Sequence, residues 1–427
     1  MAKTNRQLII HHISQLLTLK GGPQRGSRLG DLGIIPDGAL LIEGEQITAV
    51  GTREEILSRY PAAPRLDAGG QAVLPGFVDP HTHLVWVGDR AEEFTLRLQG
   101  QTYLEILAAG GGILSTVKAT RQASLETLVN ETRPRAELAF SCGTTTAEAK
   151  TGYGLDFAAE IKQIEAILSL DQEGPLEWVP TFLAAHAVPP EFKGRADDYV
   201  KLICEQMLPG LRDWWSAHAD FKPLPFVDVF CEQGAFNLAQ SRRILKTAKR
   251  LGFPLKIHAD EFENLGGASL AAELGAASAD HLVMTSQEDI DALAKTNTVA
   301  VSLPGTPFGL NESDYTPARR IISADGILAL ATDTNPGTSW CESMQFILAL
   351  ACRKLGLTPA QAIAAATING AAALGLADRI GSIEPGKQAD LLILCVGDYR
   401  HLGYRFGTNL VAKVVKRGRI YPFNHLS

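Results

Sequence analysis

Ala72-Val73-Leu74-Pro75-Gly76-Phe77-Val78-Asp79-Pro80-His81-Thr82-His83-Leu84 is the stretch on which both fold and chemistry turn. An apolar run leads into two histidines one residue apart. In an extended strand alternate side chains share a face, so His81 and His83 point the same way. Two imidazoles placed like this can close on one Zn²⁺ or Fe²⁺ ion, since both metals accept nitrogen ligands. The plain alternative is a strand end that happens to carry two histidines, and the rest of the chain decides between them.

From Pro75 to about Asp378, apolar runs alternate with longer amphipathic stretches. Strands are expected at 76–83, 144–150, 178–186, 226–231, 255–258, 279–283, 299–303 and 327–332, with helices such as 157–169, 239–251 and 264–274 between them. Eight βα units in about 300 residues predict a distorted (β/α)8 TIM barrel, with a doubly wound open sheet as the other arrangement that periodicity allows. Residues 1–74 read instead as short strands and turns, with a hairpin signal across 39–51. After Thr358-Pro359, a helix start, an alanine-rich helix is expected through Leu374. The tail returns to strands at 381–394 and 411–415 with Ile420. Both termini therefore predict one small β-sandwich domain, built from 1–74 and 379–427 around a barrel at 75–378.

The 427 residues are 45% hydrophobic and 20% charged, which leaves material for a large buried core. Net charge is −7 and no segment concentrates Lys and Arg, so nucleic acid is not expected as a partner. The N-terminal apolar run is too short for a signal peptide, and no stretch reaches the ~18–20 apolar residues of a membrane helix. Six scattered cysteines without a CxxC pair suit free thiols in a reducing cytoplasm.

In a parallel barrel, catalytic groups sit at the carboxyl ends of the strands. His81 and His83 end the first expected strand, His186 the third, His258 the fifth and Asp333 the eighth, while His281 lies in the sixth. Three imidazoles and a carboxylate leave a metal room for water, the mark of a catalytic site. His81, His83, His258 and Asp333 are therefore the expected ligands, with His186 and His281 facing the substrate or the ligands' surroundings. A carboxylate must then take a proton from water. Glu261, three residues past His258, is the first candidate and Asp260 the competitor.

These residues carry a specific resemblance. The HxH after Pro-Gly-Phe-Val-Asp, the late Asp333 and the stretch 381–394 of the GxxxxGxxADLxxL kind resemble the amidohydrolase superfamily. Further motifs resemble the imidazolonepropionase family within it: Gly88-Asp89-Arg90-Ala91-Glu92-Glu93-Phe94, Gly110-Gly111-Gly112-Ile113, Glu148-Ala149-Lys150-Thr151-Gly152-Tyr153-Gly154-Leu155, Phe182-Leu183-Ala184-Ala185-His186, His258-Ala259-Asp260-Glu261 and Asp333-Thr334-Asn335-Pro336-Gly337-Thr338. The resemblance implies hydrolysis of the cyclic amide C–N bond of 4-imidazolone-5-propanoate to N-formimidoyl-L-glutamate, in histidine degradation. It implies one zinc or iron ion per chain on the same four ligands, a carboxylate-bearing small-molecule substrate and a homodimer. It places Arg90, Tyr103, Tyr153, His186, Glu261, Asn335, Gly337 and Thr338 at the substrate, and Glu261, His281, His186 and Asp333 in the chemistry. Members carry Glu or Gln at the position of Glu261, so His281 stays open as the proton shuttle.

The side chains make sense of such a substrate. Arg90 can grip a carboxylate bidentately, unless it is spent on Asp89, Glu92 or Glu93. The Asn335-Pro336-Gly337-Thr338 turn can offer backbone N–H groups and an amide, or be a plain turn. A deaminase of a heterocyclic base would use the same four ligands but would need no carboxylate clamp. A metal-free assembly protein on this fold would be expected to have lost the ligands, and all four are present.

Overall fold

The computed structural model describes residues 7–101, 111–219 and 222–423. Two eight-stranded sheets organise it. The first outer strands are β1 (Gln7–Leu17), β2 (Ile34–Glu43), β3 (Gln46–Thr52), β4 (Arg65–Asp67) and β5 (Val73–Pro75). The second sheet follows as β6 (Phe77–Asp79), β7 (Thr144–Lys150), β8 (Glu177–Ala185), β9 (Phe226–Cys231), β10 (Lys256–Ala259), β11 (Ser278–His281), β12 (Val299–Ser302) and β13 (Leu328–Leu330). The chain closes with β14 (Leu391–Leu394), β15 (Val411–Lys416) and β16 (Arg419–Pro422).

Strands β6 to β13 pair in strict sequence order, and every pair between them is parallel. Their carboxyl ends therefore share one rim. The two outermost strands meet there. Asp79 accepts from the Thr332 amide at 3.1 Å and its hydroxyl at 2.6 Å, while Thr82 and Thr334 form a parallel bridge. This is the (β/α)8 barrel that the alternation of apolar runs predicts, and the open doubly wound sheet is set aside.

The first strand stops at Asp79, earlier than the expected 76–83, because Pro80 has no N–H to continue the ladder. His81 and His83 lie just past it. The alanine-rich segment is likewise two helices, Pro359–Ala365 and Ile368–Ala373. Thr358 and Gln361 cap the first reciprocally, and at Thr367 the backbone leaves the helix while its hydroxyl bonds back to Ile363 O at 2.6 Å.

The other sheet, in the order β16-β15-β14-β5-β1-β2-β3 with β4 beside β1, draws strands from both ends of the chain. The β2–β3 hairpin turns at Gly44, whose φ of +63° suits glycine. The sheet's core is Ile10, Ile13, Leu16, Leu40, Ile42, Leu391, Ile393 and Val415. All six cysteines are free. Among the described residues no helix is long and apolar enough to cross a membrane.

Candidate active site

Barrel closure assembles the donors. The His83 amide donates to Thr334 O at 2.9 Å and the Asp333 amide to His81 O at 3.1 Å. Those two bonds bring Asp333 Oδ1 to 3.5 Å from His81 Nε2 and 3.6 Å from His83 Nε2. From β10, His258 Nε2 reaches to 3.3 Å from His83 Nε2. A tetrahedral ion with ligands at ~2.0–2.2 Å holds its donors about 3.3–3.6 Å apart. The four side chains are buried, and among the described residues nothing hydrogen-bonds His81 Nε2. His81, His83 and Asp333 form one group that could hold a metal ion, and His83, His186 and His258 another. The donor set fits a divalent metal.

Beneath these imidazoles lies a layer of buried charge that sequence reasoning missed. Asp280 Oδ2 lies 2.6 Å from His81 Nδ1, and Asp228 Oδ2 lies 2.9 Å from His258 Nδ1. The hydrogen bond to Asp280 at Nδ1 fixes the His81 tautomer that leaves its Nε2 lone pair facing forward. Lys150 Nζ reaches Asp228 at 2.7 Å and Glu148 at 2.9 Å, and Lys256 Nζ reaches Glu148 at 2.8 Å and Pro80 O at 2.6 Å. Burial alone would depress the Lys150 ammonium, but Asp228, Glu148 and Asp280 hold its pKa above the ordinary value. Burial opposes the charge on Asp228 too, yet His258 and Lys150 hold its pKa well below normal. The missed signal was charge at alternate positions of buried strands, Glu148 and Lys150 in β7 and Lys256 before His258 in β10.

The remaining candidates gather around the donors. His186 stacks on His83 with ring centroids 4.8 Å apart, and Tyr153 lies 5.6 Å from His186. Burial first, and His258 second, push the His186 pKa down to about 3. Its ring is neutral, and Nδ1 can only donate to Gly152 O, 3.1 Å away. Glu261 Oε2 lies 3.6 Å from His281 Nδ1. Burial, with the Asp333 and Glu232 carboxylates nearby, raises the Glu261 pKa well above the usual range. Asp260 faces Thr285 and Asp289, and burial raises it to about 6.

Arg90 pairs with Glu93, which takes its Nε at 2.8 Å and its Nη2. Glu93 also accepts the Gly112 amide at 2.8 Å. The Nη1 side of Arg90 lies against Gly337, and Arg97 Nη2 donates to Gly337 O at 3.0 Å. Asn335 closes its own turn: its Oδ1 accepts from the Gly337 and Thr338 amides, both at 2.8 Å, and its Nδ2 donates to Asp333 O at 2.7 Å. Those N–H groups are taken, so the expectation that the turn offers them to a ligand is not met in this conformation. Tyr103 lies outside the described residues.

A parallel barrel with a His and Asp donor set at its carboxyl rim defines the metal-dependent hydrolases of the amidohydrolase family, whose sequence pattern matches residues 72–421. The chain belongs, within it, to the imidazolonepropionase family. Residues 38–63 match the bacterial imidazolonepropionase-like composite domain. The imidazolonepropionase of Herpetosiphon aurantiacus is 52% identical over 98% of this chain and 98% of its own. Those of Chloroflexus aggregans and Symbiobacterium thermophilum are 50% and 51% identical, covering 98% and 97% of this chain and 99% and 96% of theirs. The fold is shared more widely. An adenosine deaminase from Xanthomonas campestris with bound zinc superposes with a TM-score of 0.69 at 20% identity, covering 97% of this chain and 92% of that one. Guanine deaminase from E. coli gives 0.71 at 17% identity, covering 98% and 99%.

Proposed function

We propose that this chain hydrolyses 4-imidazolone-5-propanoate to N-formimidoyl-L-glutamate, a step of histidine degradation. The observation that carries the reading is the buried donor set of His81, His83, His258 and Asp333, in a chain half identical to imidazolonepropionases over nearly its whole length. Those four residues would hold one ion, zinc or iron. When bound, such an ion polarises the ring carbonyl and makes water a stronger nucleophile.

The chain's own groups supply the rest. Glu261 takes the proton of the attacking water and returns it to the departing ring nitrogen, as the ring C–N bond breaks and the former carbonyl becomes a carboxylate. Asp333 can share the base role from its place among the ligands, and His281 beside Glu261 is the alternative shuttle. His186 donates from Nδ1 to Gly152, so its Nε2 is an acceptor for a substrate N–H. That leaves His281 as the imidazole able to donate to the developing oxyanion. Arg90, with its Nε–Nη2 edge on Glu93, offers its Nη1 edge to the propionate carboxylate. Tyr153 and Tyr103 assist, and the Asn335–Thr338 turn borders the carboxylate site.

We place the domain borders near residues 74 and 378, and the enzyme in the cytoplasm as a homodimer. The test is turnover of freshly generated imidazolone propionate by metal-replete protein, with Asp333→Ala correcting for spontaneous decay. Loss of ring absorbance above that control, with formimidoylglutamate appearing, is the expected result. No loss above control from protein that has bound metal would overturn the substrate, and cyclic ureides and amino-purines would be tried next.

A further inference from the structure

The loop that carries Tyr153 is tied down from behind. In the helix Phe157–Glu173, Glu160 and Gln163 stand three residues apart, so they share a face. Both are fully buried. Glu160 Oε2 accepts the Gly152 amide at 3.1 Å, and Oε1 accepts those of Gly154 at 2.8 Å and Leu155 at 2.7 Å. Gln163 Oε1 accepts the Tyr153 amide at 3.2 Å. Four consecutive backbone N–H groups thus end on two side chains of one helix. The helix does not need Glu160 as a cap, because Asp156 already accepts from the Ala159 amide.

The arrangement reaches the site along two paths. Gly152, held by Glu160, accepts from His186 Nδ1 through its carbonyl. Gln163 Nε2 donates to Val85 O at 2.8 Å, two residues beyond His83. The loop has little slack. Gly152 has a φ of +103° and Leu155 one of +55°, conformations that side chains resist. A Cβ on Gly154 would come within 2.6 Å of the Glu160 amide.

We infer that Glu160 and Gln163 are positioning residues for substrate binding. Through the backbone they fix Tyr153 and His186 relative to the segment bearing His81 and His83, without touching substrate. The inference rests on the reading of Tyr153 and His186 as substrate residues under the proposed function.

Steady-state kinetics on imidazolone propionate test it with Glu160→Gln, Gln163→Met, Tyr153→Phe, His186→Asn and the double variant Glu160→Gln/Tyr153→Phe, alongside metal affinity by chelator competition. Glu160→Gln turns an NH₂ towards the Gly152 N–H and costs a buried hydrogen bond. KM should therefore rise about tenfold with metal affinity unchanged. Gln163→Met should move KM the same way, a second reading should Glu160→Gln fold poorly. The effects of Glu160→Gln and Tyr153→Phe should be non-additive, since one acts through the other. The inference is overturned if Tyr153→Phe and His186→Asn raise KM while Glu160→Gln and Gln163→Met do not. Fully additive effects, or a parallel loss of metal affinity and thermal stability with KM unmoved, would overturn it as well. If neither Tyr153→Phe nor His186→Asn alters KM, the substrate reading itself has failed and takes this inference with it.

Discussion

Asp280 and His81 are both fully buried and meet at 2.6 Å, carboxylate Oδ2 to imidazole Nδ1. The pair converts a flexible ring into a directed one, because a proton held at Nδ1 leaves Nε2 free as a ligand atom. Lys150, 3.5 Å from the same carboxylate oxygen, supports its charge. Asp280→Asn should weaken metal binding about 10–100-fold, measured by chelator competition. Wild-type affinity in that variant would mean that other contacts orient His81.

Glu261 and Asp260 are adjacent in sequence and face different surroundings, His281 for one and Thr285 with Asp289 for the other. Of the two carboxylates, Glu261 is the one we propose as the proton shuttle. Glu261→Gln should lower kcat by about 10²–10⁴ with metal content unchanged, whereas Asp260→Asn should keep most of the turnover. The reverse pattern would move the shuttle to Asp260, and near-normal kcat in both variants would leave His281.

A Cβ at Gly337 would run into the Arg90 guanidinium, although the backbone there does not require glycine. The residue is small because Arg90 needs the space. A charge-assisted hydrogen bond is worth about 1.5–3 kcal/mol. Gly337→Ala should therefore raise KM for the propionate substrate on the order of tenfold and leave unchanged the binding of an analogue lacking the side-chain carboxylate. Equal losses for both ligands would show that Arg90 does not read the carboxylate.

Much of this was legible in the chain, for definite reasons. His81, His83, His258 and Asp333 stand out because each follows an apolar run, and a parallel barrel brings all such ends to one rim. The charged layer below could not be read the same way. His81 and Asp280 are 199 positions apart, and Lys150 and Asp228 are 78 apart, so only the closed barrel reveals who pairs with whom. Local competition was equally hidden. Arg90 has Glu93 three residues away, and Asn335 has the amides of its own turn, so the choice between ligand and neighbour rests on geometry. The early end of the first strand was readable in principle, since Pro80 cannot donate.

A second buried charge cluster joins the barrel to the outer sheet and makes a prediction about acid stability. Glu177, at the start of β8, lies 2.9 Å from Lys416 Nζ at the end of β15, and Arg379 pairs with its other oxygen. Lys416 also reaches Asp390 at 2.7 Å. Burial would raise the Glu177 pKa, but Lys416 and Arg379 outweigh it and hold the carboxyl far below its usual 4.5. The unfolded chain then binds more protons than the folded one once pH drops below about 4.5, so stability falls as pH is lowered through that range. Above it the full contribution is present. Glu177→Gln should destabilise the fold at neutral pH, and so lower its melting temperature, at a cost below the ~3–5 kcal/mol of a wholly orphaned buried ion, because Lys416 keeps Asp390. The gap between wild type and variant should narrow as the pH is taken down below 4.5. Calorimetry across that range decides it: a gap that stays constant would mean that the Glu177 carboxyl titrates alike in the folded and unfolded chain.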